Sequence, residues 1–145
     1  MLNHTTILIA EDEPIIGMAL TWAVRDAGGE VVGPAASVMA ALKLLESNSV
    51  SGAILDVNLT DGLVLPVVEY LMERNVPLII QTAVGIPDEL KRRYPEIVVR
   101  IKPIISDYLI NEIATMIGQN QSSGSVTLPA TGVLNTRDTN TNDTV

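Results

Sequence analysis

Five short apolar runs, each followed by a longer stretch of helical periodicity, account for the chain as far as Ile117. The runs predict strands at Ile7-Leu8-Ile9-Ala10, at Glu30-Val31-Val32-Gly33 (closed by Pro34), at Gly52 to Asp56, at Leu78-Ile79-Ile80-Gln81 and at Val98-Val99-Arg100-Ile101. Runs this short and this continuously apolar suit strands covered on both faces. The first helix is predicted over Ile15 to Ala27. Pro14 opens it, where a missing N–H is no loss, and Gly28-Gly29 ends it. Apolar residues occupy most of its sides (Ile15, Ile16, Met18, Leu20, Trp22, Val24), which predicts a heavily buried helix with Trp22 in the core. Ser37 is the expected N-cap of a second helix over Val38 to Glu46, with Ala41, Leu44 and Leu45 on one face. Asn58 to Gly62 reads as a turn. A third helix follows from Leu65 to Arg74, and a fourth from Asp88 to Tyr94, stopped by Pro95. The fifth, Ile105 to Ile117, carries Ile105, Leu109, Ile113 and Ile117 at four-residue spacing.

Five strand–helix units in succession imply right-handed crossovers and an α/β fold. The expected architecture is a flavodoxin-like, doubly wound, five-stranded parallel sheet of order 2-1-3-4-5 with helices on both faces. From Gly118 the periodicity stops, and Ser, Thr, Asn and Gln dominate to the end. Such a segment buries too little apolar surface to offset its ordering entropy. The expected organisation is therefore one domain over residues 5–117 and a disordered tail over 118–145.

Composition narrows the function. With 145 residues and 47% apolar content the chain can build one full core, and the near absence of aromatics (no Phe, one Trp) fits this α/β reading. A formal charge of −8, with Lys91-Arg92-Arg93 as the only basic run, argues against gripping nucleic acid. The absence of cysteine excludes disulfides and thiolate metal sites. No apolar run is long enough to span a bilayer, and Met1-Leu2-Asn3-His4 does not open a secretion signal, so a cytoplasmic protein is expected.

The strand ends carry the chemistry. In an open parallel sheet they meet at one rim, where such folds bind ligands. That rim would gather Glu11-Asp12-Glu13, Asp56, Thr82 and Lys102. Mg²⁺ takes hard oxygen ligands and keeps several waters, so Glu11, Asp12 and Asp56, with a main-chain carbonyl at Asn58, could hold it. An ionised Asp56 could attack phosphorus and form an acyl phosphate, while Lys102 and the Thr82 hydroxyl received the phosphoryl oxygens. Singly, each residue has an ordinary explanation as a turn former, a helix-end charge or a solvated side chain. Their joint fall at strand ends, in this order, does not.

Those segments resemble the response-regulator receiver domain of two-component signalling, over about Thr5 to Ile117. Ile7 to Pro14 is similar to that family's acidic-pair strand and Leu55-Asp56-Val57-Asn58-Leu59 to its phosphoacceptor strand. Gln81-Thr82-Ala83 resembles its switch hydroxyl and Ile101-Lys102-Pro103 its lysine. The resemblance implies phosphorylation at Asp56 and Mg²⁺ bound directly by Asp12, through water by Glu11 and through the Asn58 carbonyl. It also implies that Thr82 moves toward the phosphate, that Lys102 pairs with it and that the Lys102-Pro103 bond is cis. Val99 stands where receivers commonly have Tyr or Phe, Ile104 replaces a frequent aromatic, and Thr60 replaces a frequent Pro. Leu55 to Gly85 is partly similar to the stand-alone receivers with a Phe-Ala-Thr-Gly-Tyr segment.

The implied function is that of a single-domain regulator rather than an enzyme. It would accept a phosphoryl group from a sensor histidine kinase or histidine phosphotransfer protein, and act on a downstream protein or as a phosphate sink. The first helix and the loop after the fifth strand would meet the donor, with no membrane or nucleic-acid partner and a monomer or weak homodimer as the expected state. Two other readings use the same residues: an aspartyl-nucleophile phosphatase, for which Asn58 stands where an acid/base Asp is expected, and a receiver fold kept as an unphosphorylated interaction module.

Overall fold

The computed structural model describes residues 1–126, with side chains as far as Asn120. The chain divides into two units, Met1–Thr115 and Met116–Val145, and the site lies wholly in the first. Its elements are β1 (Thr6–Ala10), α1 (Pro14–Asp26), β2 (Glu30–Ala35), α2 (Val38–Ser47), β3 (Gly52–Asp56), β4 (Asn58–Leu59), β5 (Gly62–Leu63), α3 (Leu65–Glu73), β6 (Leu78–Thr82), α4 (Asp88–Arg93), β7 (Val98–Ile101) and the start of α5 (Ser106–Val126). In the second unit α5 runs on to Val126, past the expected end at Ile117. Residues 127–145 of the expected tail lie outside the described residues.

The main sheet has the order β2-β1-β3-β6-β7, all parallel, which is the expected doubly wound arrangement. Alternation along the strands sends Leu8, Ala10, Ala53, Leu55, Leu78 and Ile80 into one apolar cluster with Ala41, Leu45, Val67, Val68 and Leu71 of α2 and α3. Ile7, Ile9, Ile54 and Ile79 occupy the intervening positions and are equally buried; the buried helical residues outside that cluster include Leu20, Ala23 and Val24 of α1 and Leu109, Ile110 and Ile113 of α5. Burial on both faces explains why β1, β3 and β6 read as unbroken apolar runs, whereas the edge strands β2 and β7 are only partly covered and carry Glu30 and Arg100.

Four local expectations need correction. The first helix is not buried all round: Ile15, Met18 and Trp22 are 83%, 56% and 64% exposed, so Trp22 is a surface residue. Its core contacts come instead from Leu20, Ala23 and Val24, with the small Gly17 and Thr21 beside them. Pro34 does not close β2. The strand continues to Ala35 because β2 is an edge, where a proline costs no ladder bond, and Gly33-Pro34 opposes the single residue Ile9 as a bulge. Gly33 has φ +105° there, and a Cβ on it would stand 2.6 Å from the Ile9 carbonyl oxygen. The turn at Asn58 to Gly62 is a small antiparallel hairpin, β4–β5, with Asn58 opposite Leu63. Asp61 fixes it by accepting the Val38 and Met39 N–H groups (2.7 and 3.1 Å), two orphan donors at the start of α2. Ile105 precedes the fifth helix and is exposed, its carbonyl accepting the Tyr108 N–H at 3.0 Å. Ser37 caps α2 as expected, accepting the Ala40 N–H at 3.0 Å.

Candidate functional site

Sheet register assembles the site. Ala10 lies beside Leu55, Asp56 beside Gln81, and Thr82 beside Ile101, so the residues leaving these strands meet at one level. Two main-chain bonds extend that level: Glu11 N–H to Ala35 O at 2.9 Å and Lys102 N–H to Thr82 O at 2.8 Å. The extension of β2 through Pro34 therefore anchors Glu11. The Lys102-Pro103 bond is cis, as the resemblance implied.

Lys102 reaches back into the rim. Its ammonium is 3.0 Å from Asp56 Oδ2, 3.1 Å from Glu11 Oε1 and 3.7 Å from Glu13 Oε2. Burial pulls its pKa down, but the hydrogen bonds to Asp56 and Glu11 outweigh that and leave it raised. One oxygen each from Glu11, Asp12, Glu13 and Asp56 lies within 4.8 Å of the others. This all-oxygen, carboxylate-rich donor set fits a hard divalent cation such as Mg²⁺.

Glu11 is only 3% exposed. Its Oε2 accepts the Glu13 N–H at 3.2 Å, and its Oε1 accepts the Gln81 side-chain amide at 3.0 Å as well as Lys102. Desolvation nevertheless dominates and, with the neighbouring Asp56, pushes its pKa from 4.5 up to about 7 against the pull of the Glu13 N–H and Lys102. Asn58 lies at the start of β4, its N–H approaching Asp56 Oδ1 at 3.4 Å.

Thr82 sits at the same rim but faces elsewhere. Its hydroxyl donates to Gly85 O at 3.2 Å and accepts the Val84 N–H at 3.3 Å, which ties it to the loop before α4. Val99 is half-buried against the apolar cluster and brings no ring to this region.

Glu11, Asp12, Asp56 and Lys102 are thus brought together, with Asn58 and Thr82 adjoining them. Glu13, read at the rim but given no ligand role there, supplies the third carboxylate to Lys102; the participant that escapes a reading of the sequence is Gln81, which binds Glu11 from within an apolar strand. The visible signal for Gln81 was its polarity after Leu78-Ile79-Ile80; the partner was not visible.

No protein-family model matches the sequence, and no curated protein does. Solved structures do. The chain is 34% identical to SdrG from Sphingomonas melonis Fr1, over 81% of this chain and 98% of that one, with a TM-score of 0.64. It is 30% identical to the response regulator PhyR from Brucella abortus, with a TM-score of 0.73, over 86% of this chain; it spans about half (52%) of the length of that protein. A CheY-like receiver domain protein from Methanospirillum hungatei JF-1 shares the fold with a TM-score of 0.74 at 20% identity, over 83% of this chain and 99% of that one. A parallel sheet of this order with an acid-and-lysine rim defines a two-component signalling receiver. The chain belongs to the response-regulator receiver family.

Proposed function

We propose that the protein is a phosphoacceptor regulator in which Asp56 takes a phosphoryl group from a phosphohistidine on a sensor histidine kinase or a histidine phosphotransfer protein. The observation that carries this reading is Asp56 as one of four clustered carboxylates, with the Lys102 ammonium 3.0 Å away. An Asp56 oxygen attacks phosphorus as the P–N bond breaks, and the electron pair leaves with the imidazole nitrogen, which takes a proton. The product is an acyl phosphate on Asp56. Lys102 moves from Glu11 and Asp56 to the new phosphoryl oxygens; as a point charge on a flexible stem it can make that exchange. Glu11, Asp12 and Asp56, with the Asn58 carbonyl, would hold Mg²⁺, which when bound offsets the negative charge gathered on the transferring group.

The output begins at Thr82. Its single hydroxyl proton is given to Gly85 O in the unphosphorylated protein. A phosphoryl group on Asp56 is a charged and stronger acceptor. The hydroxyl turns to it, Gly85 O and the Val84 N–H lose their partner, and the segment Val84 to Arg93 reorders without any aromatic at Val99. The reordered face binds a downstream protein, or the phosphoryl group is simply drained from another regulator. In either case the protein regulates and does not turn over a substrate. The donor would dock on exposed apolar side chains of the two segments that follow the acidic and lysine strand ends, Ile15, Met18 and Trp22 on α1 and Ile105 after β7.

Incubation with acetyl phosphate and Mg²⁺ followed by intact-mass measurement tests the reading. The wild type should gain one phosphoryl group and Asp56→Asn none. A gain in both proteins, or in neither, overturns it.

A further inference from the structure

We infer that Gln81 is a positioning residue for the metal-binding carboxylate of Glu11; the inference rests on the function proposed above. On one face of the sheet the rows Ile7-Ile9, Ile54 and Ile79 each end in a polar side chain, Glu11, Asp56 and Gln81 respectively. Gln81 is 2% exposed, in a strand buried along its whole length. An amide buried there costs free energy unless it is hydrogen-bonded, and an apolar residue would fill the same place without that cost. Its side-chain N–H₂ is spent on Glu11 Oε1 at 3.0 Å.

The same Oε1 receives Lys102 at 3.1 Å. Lys102 is the donor that must leave when a phosphoryl group arrives on Asp56. Gln81 is neutral and fixed in the strand, so it stays. With the Glu13 N–H on Oε2, it holds both oxygens of Glu11 in place before and after transfer. Hydrogen-bond partners behind a metal ligand commonly fix its orientation in this way.

The test is Gln81→Met, a variant of similar shape without the donor. Mg²⁺ affinity is measured by calorimetry without phosphodonor, in wild-type and Glu11→Ala backgrounds, and the phosphorylation rate is read at saturating Mg²⁺. The expected result is an affinity about tenfold weaker, a saturated rate within about twofold of wild type, and no effect of Gln81→Met once Glu11 is Ala. In metal-free protein, the side-chain amide NMR signal of Gln81 should shift on Glu11→Ala. An unchanged affinity, an equal loss in both backgrounds or an unmoved amide signal overturns the inference. So does unfolding of both Gln81→Met and Gln81→Val, which would make Gln81 a structural residue only. If wild type itself binds no Mg²⁺ and takes no phosphoryl group, the proposed function has failed, not the Gln81–Glu11 contact, which the metal-free amide signal reads separately.

Discussion

A carboxyl group buried to 3% exposure and held by three donors is a strained place for a charge, and Glu11 shows it in a pKa of about 7. The folded protein therefore keeps a proton on Glu11 that the unfolded chain, at 4.5, has already released. Folding stability from this group is complete below about pH 4.5 and is lost as pH rises to about 7. At 1.36 kcal/mol per pKa unit the loss is on the order of 3 kcal/mol. Urea unfolding of metal-free wild type against Glu11→Gln should show the variant gaining on the wild type across that window and no further above it. A gap independent of pH would show that Glu11 titrates normally. A cation that binds the ionised carboxylate competes with this proton, so apparent Mg²⁺ affinity should rise with pH up to about 7 and then level off.

At the scale of elements, the loop between β6 and α4 is set by one hydroxyl. Thr82→Ala removes the acceptor of the Val84 N–H and the donor to Gly85 O. Hydrogen exchange at the Val84 amide of unphosphorylated protein should accelerate severalfold, by the loss of roughly 1 kcal/mol of net bonding. Unchanged exchange there would contradict the proposed latch. The elements themselves were largely legible. β1, β3 and β6 are apolar runs cut by polar or Pro/Gly residues, and in a doubly covered sheet nothing else competes with that pattern; β7 is a half-buried edge strand that carries Arg100. What was not legible depends on contacts distant in sequence. Trp22 sits in a helix so apolar that its composition does not say which side is covered. Pro34 ordinarily ends a strand, and only its edge position with a bulge at Gly33 lets β2 run on to hold Glu11. The β4–β5 hairpin is two residues a side and owes its place to Asp61 on α2. The site residues Asp56 and Lys102 could be read because strand ends share a rim, whereas the Gln81–Glu11 bond depends on side-chain direction across the sheet.

The surface of the first unit as a whole separates donor docking from chemistry. Ile15, Met18 and Trp22 recur on one side of α1, which starts directly after the acidic Glu11-Asp12-Glu13 run, and are largely exposed. Trp22→Ala should leave folding stability within about 0.5 kcal/mol of wild type. It should leave phosphorylation by acetyl phosphate unchanged while slowing transfer from a phosphohistidine-bearing protein at least severalfold. Equal rates from both donors would remove α1 from the docking surface. Among the described residues no helix is long and apolar enough to cross a membrane. The central claim is that the phosphoryl group rides on Asp56, and borohydride reduction followed by peptide mapping tests it most directly. After exposure to acetyl phosphate and Mg²⁺, reduction should convert Asp56 alone to homoserine; conversion at Glu11, Asp12 or another carboxylate, or at none, would contradict the account.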